Sequence, residues 1–217
     1  AAKNPEKLKE LQALFLVEAQ KSGVLPIDDR VFERALPELV GRPDLFAGRN
    51  SITLGEGMTG MLESAFINVK NKSMTITAAV DVPATGANGA IIVQGGRFGG
   101  WALYVKDGVP AYTYNLLGMR SETVAGNKPL TVGKHTVRME FAYAGGGLGK
   151  GGGVTLFVDN VKVGEGSLTN TQPMIFSADE TADVGIDLGT PVVEAVGAGE
   201  ASRFTGKIAQ VKIDLKP

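Results

Sequence analysis

The chain has 217 residues, 43% of them hydrophobic and 21% charged, with a formal net charge of −1 and a pI near 6.0. That balance provides no global field for nucleic acid or an anionic membrane, and no basic segment is interleaved with rings for base stacking. With no cysteine, the chain carries no disulfide, no thiolate metal site and no cysteine nucleophile.

The length suffices to bury a real core. Its 30 glycines are about twice the usual share of ~7%. No apolar run approaches the ~20 residues of a membrane helix. The opening "AAKNPEKL" has neither an initiator Met nor a signal peptide, so the chain reads as a piece of something longer.

The first predicted element is a helix. Asn4 is placed to cap it, Pro5 suits the first helical position, and Glu6 falls in the first turn. Leu8, Leu11, Leu14 and Phe15 then form an apolar stripe, and Gly23 ends the helix. One amphipathic helix cannot bury such a stripe alone, which implies a partner surface. "VLPIDDR" and "ALPELVGRPDLFAGRN" follow, punctuated by Pro26, Pro37, Gly41, Pro43 and Gly48. They predict an extended connector with one short helix. Residues 1–49 are read as helix and connector, and residues 50–217 as a β-sandwich.

From Ser51 the period becomes two. "SMTITAAVDV" sets Met74, Ile76, Ala78 and Val80 on one face, and "GKHTVRMEFAYA" does the same with Val137, Met139 and Phe141. "WALYVKDGVPAYTYNL" predicts a hairpin about Asp107-Gly108, and "VTLFVDNVKVGEG" another about Asp159-Asn160. "RFTGKIAQVKIDL" closes the chain as a further strand. About ten strands with no later long helix predict a mostly β fold, a two-sheet antiparallel sandwich preceded by one amphipathic helix.

Between two strands lies "AGGGLGKGGG", which contains Gly147-x-Gly149-x-x-Gly152, the spelling of a dinucleotide fingerprint, and Gly149-Lys150, the tail of a phosphate-binding loop. The fingerprint needs a helix leaving the glycines to hold a pyrophosphate. The exit here is the strand-like "VTLFVDN". The phosphate loop fails too: Ala144 stands where its first Gly belongs, and Gly151 follows the Lys instead of Ser or Thr. A mobile hairpin loop is expected, with Lys150 as a candidate contact for an anion or a neighbouring domain.

His135 is the sole histidine. No Gly-x-Ser-x-Gly accompanies it, so a structural or rim role is expected. Asp179, Glu180, Asp183 and Asp187 cluster in "SADETADVGIDLG" and are candidate calcium ligands by donor type, although the EF-hand spacing is absent. Trp101, Tyr112 and Tyr114 are candidate rings for a sugar, set against the need of a sandwich for large core side chains.

The succession of "GGWALYVKDGVPAYTYNL", "LTVGKHTVRMEFAY" and "VTLFVDNVKVGEG" resembles concanavalin- and laminin-G-like jelly-roll sandwiches. There a Gly-Trp strand, a hairpin, a strand opening with His or Trp, and a Val-Asp-x-x-x-Val hairpin follow one another. "KLKELQALFLVEAQKSGVLPIDDR", "GRPDLFAGRNSITLGEGMTGMLE", "KHTVRMEFAYAGGGLGKGGGVTLFVD" and "PMIFSADETADVGIDLGTPV" resemble the C-terminal portion of bacterial arylsulfatases of the sulfatase family. This second resemblance spans nearly the whole chain.

It implies a non-catalytic accessory domain that packs on the catalytic domain of a periplasmic or secreted sulfuric ester hydrolase, with shaping of substrate access or oligomer contacts as a further role. The family's calcium and formylglycine would lie elsewhere in that parent. The family's nucleophile arises in a Cys/Ser-x-Pro-x-Arg motif. This chain has neither Cys nor Ser-x-Pro-x-Arg, so no catalytic residue and no cofactor is carried over. Two alternatives stand beside this reading: a carbohydrate-binding, lectin-like module with a glycan as partner, and an independent sandwich hydrolase using the acidic loop.

Overall fold

The computed structural model describes residues 2–27, 29, 41 and 45–216. The chain divides into two compact units, residues 1–40 and 41–217.

The first unit contains α1 (Pro5–Lys21), with Asn4 at its N-cap and Pro5 at its first position. The Asn4 side chain makes no capping hydrogen bond. Gly23 follows the helix at φ +66°, a left-handed conformation that glycine adopts without strain. Only Ala19 of the helix is buried, while Leu8, Leu11, Leu14 and Phe15 are exposed. The short helix expected in the connector falls largely outside the described residues.

The second unit is a sandwich of twelve strands: β1 (Ser51–Leu54), β2 (Met61–Leu62), β3 (Ser73–Val82), β4 (Gly89–Gly96), β5 (Gly99–Lys106), β6 (Val109–Leu116), β7 (Arg120–Ala125), β8 (Gly133–Tyr143), β9 (Lys150–Val158), β10 (Val161–Asn170), β11 (Thr181–Val184) and β12 (Lys207–Lys216). One sheet runs β1-β12-β3-β8-β9-β10 and the other β2-β11-β4-β5-β6-β7. All pairings are antiparallel. The strand count exceeds the expected ten because β2 and β11, at two and four residues, are too short to display a period.

The alternating runs fold as their pattern dictates. Met74, Ile76, Ala78 and Val80 of β3 and Val137, Met139 and Phe141 of β8 face Trp101, Leu103 and Val105 of β5 and Tyr112 and Tyr114 of β6 across one buried core. Both expected hairpins form. Asp107 and Gly108 have φ of 51° and 79°, and Asp159 and Asn160 have 51° and 65°. Two consecutive positive φ values are what a tight antiparallel turn of matching twist requires.

A second, smaller cluster covers the outer face of the β4–β6 region. Val192, Val193 and Val196, from the segment between β11 and β12, pack on Ala90, Val93, Ala102, Tyr104 and Ala111. This segment is a strap across the sheet, and it buries β4 and most of β5 on both faces.

The glycine run divides in two. Gly151, Gly152 and Gly153 belong to β9, and only the residues before Lys150 form a loop. That loop is tied down rather than loose. The Tyr143 hydroxyl donates to Gly147 O at 2.6 Å and accepts from Lys150 N at 2.9 Å, and Asn71 Oδ1 accepts from Gly149 N at 2.8 Å.

Candidate functional site

At one end of the first sheet a groove of about 460 Å³ opens to solvent, within the range of small-ligand sites. Strand pairing builds it. Asp81 lies opposite Lys134 on β8 and Lys207 on β12, so three neighbouring strands carry a lysine–aspartate–lysine row on their outer face. Ala79 lines the groove beside this row, its methyl leaving room that a larger residue would fill. The β12 ladder shifts register between Ile208 and Gln210, leaving Ala209 as the extra residue. A bulge of that kind bends its strand and re-aims side chains.

The carboxylates at the rim are held by backbone. Glu56 Oε2 accepts from Ile208 N at 3.0 Å, beside the bulge. Asp159, from the β9–β10 turn, accepts from Thr136 N at 2.8 Å and binds His135 Nδ1 at 2.7 Å. His135 Nε2 meets Thr131 O at 2.9 Å, so both ring nitrogens are engaged and the ring buttresses the wall. Lys134 and Lys207 are exposed and take part in no ion pair among the described residues.

The backbone hydrogen bond from Thr136, reinforced by His135, holds the Asp159 carboxyl below its ordinary value. A lowered folded-state value contributes stability that is present above the ordinary carboxylate value and lost as pH falls through the lowered one. Asp159→Ala is therefore expected to reduce stability at neutral pH by about 1 kcal/mol, the worth of a half-exposed hydrogen-bonded carboxylate. The gap from the parent should close in acid. Urea titrations at neutral and acidic pH check this, and a gap that is constant with pH would refute it.

The sequence-predicted residues lie elsewhere. Trp101 and Tyr112 are fully buried, and Tyr114 nearly so, in the inter-sheet core. They offer no ring to a ligand in solution, which corrects that expectation: on β5 and β6 their parity is the inward one. Trp101 Nε1 donates to Gln94 Oε1 at 3.0 Å, and the Tyr114 hydroxyl accepts from Gln172 N at 2.6 Å. Burial raises the phenol of Tyr112, and likewise that of Tyr114. Lys150 is exposed where β9 begins, at the far end of β8–β9 from the groove.

The four acidic residues do not form one donor set. Asp179 pairs with Ser177 Oγ at 2.7 Å. Glu180 accepts from Thr190 N and from its Oγ1, the latter at 2.6 Å. Asp183 accepts from Gly60 N at 2.7 Å and from Thr181 Oγ1 at 3.0 Å. Asp187 Oδ2 accepts from Val192 N at 3.0 Å. The oxygens of Glu180, Asp183 and Asp187 fasten backbone, and among the described residues no group of three or more acidic or histidine side chains is arranged to hold a metal.

Sequence reasoning missed the groove except for His135. Asp81, Lys134 and Lys207 meet only through pairings between distant parts of the chain, and no local spacing announces them. The Asp159-Asn160 turn was legible as a turn, but not as a clamp on Thr136.

No family model matches the chain, and no curated protein matches it. Solved structures do share its fold. The structure of NanB plus Optactamide is 10% identical with a TM-score of 0.50, over 75% of this chain and 26% of that one. The CBM40 of the Ruminococcus gnavus IT-sialidase, bound to alpha2,3 sialyllactose, is 16% identical with a TM-score of 0.49, over 78% and 92%. Domains LG4-5 of the mouse laminin alpha1 chain are 16% identical with a TM-score of 0.44, over 77% and 39%. The chain is a two-sheet antiparallel β-sandwich, and identities this low speak to fold alone. Among the described residues no helix is long and apolar enough to cross a membrane.

Proposed function

We propose that this chain is a non-catalytic, lectin-like module that holds a saccharide bearing an acidic group in the groove between β12, β3 and β8. The observation that carries this reading is the Lys207–Asp81–Lys134 row. Two unpaired ammonium groups flank one carboxylate, a pattern suited to an anionic substituent with hydroxyls beside it. Asp159 and Glu56 supply further acceptors at the rim. No serine or cysteine lines the groove, and binding needs fewer groups than turnover. Fold alone would not support this reading, since sandwiches of this type host many functions.

The test is calorimetry against uronate-containing, sulfated and neutral oligosaccharides. An acidic ligand is expected to bind, more weakly as salt rises. Lys134→Ala with Lys207→Ala is expected to weaken it about tenfold, two exposed charge contacts being worth up to ~1 kcal/mol each. Equal binding by the double variant, or no binding to any of these saccharides, would overturn the proposal.

A second reading keeps the accessory role beside an arylsulfatase catalytic domain. Its support is the exposed apolar row Leu8, Leu11, Leu14 and Phe15 on α1, a surface that implies a partner. The full-length parent with and without this region would differ in stability or kinetics on that reading and would be unchanged otherwise.

A further inference from the structure

The strap over the second sheet closes on a single buried acid. Asp187 stands at its neck, 3% exposed. Its N–H donates to Ser202 Oγ at 2.9 Å, its carbonyl accepts from Gly199 N at 2.6 Å, and its Oδ2 accepts from Val192 N at 3.0 Å. The departing and returning ends of the strap are thus knotted through one residue. Ser202, itself fully buried, completes the knot by donating to Gly199 O at 2.7 Å.

One atom of the knot is left over. Asp187 Oδ1 is buried with no hydrogen-bond partner. An ionised carboxylate in that position would hold an unsolvated, uncompensated oxygen. The charged groups around it add no relief. Asp183 and Glu180, on and beside β11, repel it. The guanidinium groups that meet the strap are already taken, Arg97 of the β4–β5 turn by Glu194 and Arg203 at its returning end by Glu200.

We propose that the segment from Asp187 to Ser202 is a proton-linked strap, closed over the outer face of the β4–β6 sheet while the Asp187 carboxyl keeps its proton and loosened as that proton is lost. Opening would bare Tyr104, whose hydroxyl bonds Thr113 Oγ1 at 3.0 Å, with Thr123 Oγ1 a further 2.7 Å on. A ring beside a row of hydroxyls, now covered by valines, would become a second polar and aromatic face on the sandwich. The geometry is supported by the acid's titration: burial, with the Asp183 and Glu180 charges, pushes the Asp187 carboxyl up to about 7.

The sign follows from linkage. The closed form holds the proton up to about 7, whereas an opened, solvated Asp187 loses it at about 4. Opening therefore becomes easier by about tenfold per pH unit between those limits and levels off above them. The same residue would lock the strap in acid and slacken it near neutrality.

Hydrogen exchange on the whole chain, from pH 5 to 8, tests this. The protection factors of the Val192 and Gly199 amides are expected to fall about tenfold per unit up to pH 7 and then flatten, while that of the core amide of Leu103 holds. Asp187→Asn, which keeps the acceptor but not the proton, should leave the strap amides flat with pH. Ser202→Ala should lower their protection at every pH with the slope unchanged, and it stands in if the asparagine variant does not fold. A slope that persists in Asp187→Asn, a flat wild-type profile, or a parallel fall at Leu103 would each overturn the proposal. So would recovery of strap protection at pH 8 on adding calcium chloride, since a cation would then satisfy the oxygen in place of the proton.

Discussion

Trp101→Ala is expected to destabilise the sandwich by about 3–5 kcal/mol, the range for emptying a large aromatic site in a close-packed core. Trp101 is fully buried, its ring 6.4 Å from that of Tyr112 in a stacked arrangement. Its Nε1 is the donor to the Gln94 side chain, itself buried. Truncation therefore opens a cavity and also strands an amide oxygen. Trp101→Phe separates the two effects, because it restores most of the apolar bulk and leaves only the unpaired Gln94 oxygen, at about 1–3 kcal/mol. Urea denaturation followed by far-ultraviolet circular dichroism measures both, since the chain's single tryptophan is lost as a fluorophore. A loss below ~1 kcal/mol for alanine would mean that the core refills the site, against its close packing.

The second large effect separates neighbouring glycines. A Cβ on Gly151 would stand 1.8 Å from Leu168 O, and one on Gly152 would stand 2.1 Å from Ala142 O. Both obstacles are backbone atoms of strands paired to β9, so relief requires moving β10 or β8. A Cβ on Gly153 meets nothing within 4 Å. Gly151→Ala and Gly152→Ala are each expected to destabilise by about 2–4 kcal/mol, at the upper end of single substitutions. Gly153→Ala should be neutral or stabilising by up to ~1 kcal/mol, through the entropy of the unfolded chain. Equal losses at all three positions would show that strand flexibility, and not close approach of backbone, explains the run.

The glycine run also shows where local reading stops. "VTLFVDN" correctly denied it a helix. That three of its glycines are strand residues, two of them under steric demand, depends on β8 and β10, which sit on either side of β9 only in the folded sheet. The same limit hid the groove. Asp81 and its flanking lysines belong to three separate sequence segments, and their row exists only once the register is set.

Where a property follows from parity within one strand, the sequence was enough. The inward faces of β3 and β8 and the Asp107-Gly108 hairpin are examples. Parity alone does not place the aromatic rings, because a two-sided sheet leaves the choice of inner face open. Here a second signal was available: Ala90, Val93, Ala102, Tyr104 and Ala111 are apolar on the opposite parity, as expected of a sheet covered on both sides. The acidic segment concealed its role for a different reason. Glu180 and Asp187 cap backbone groups of the strap, and Asp183 one near β2; such partners cannot be counted from composition.

The pairing of β1 with β12 has a consequence for assembly. Ser51 lies opposite Asp214, and Leu215 N donates to Asn50 O at 2.7 Å. β12 also pairs with β3, so the first sheet has a gap between β1 and β3 until the last strand is available. The β4–β7 meander has no such dependence, since each strand pairs with the next along the chain. Closing β1 onto β12 spans nearly the whole unit, an expensive loop in entropy and a slow one to form. During synthesis the second sheet has all four meander strands in hand while the first still waits for its middle. The open edges of β1 and β3 are then the surfaces most in need of protection from pairing with other chains.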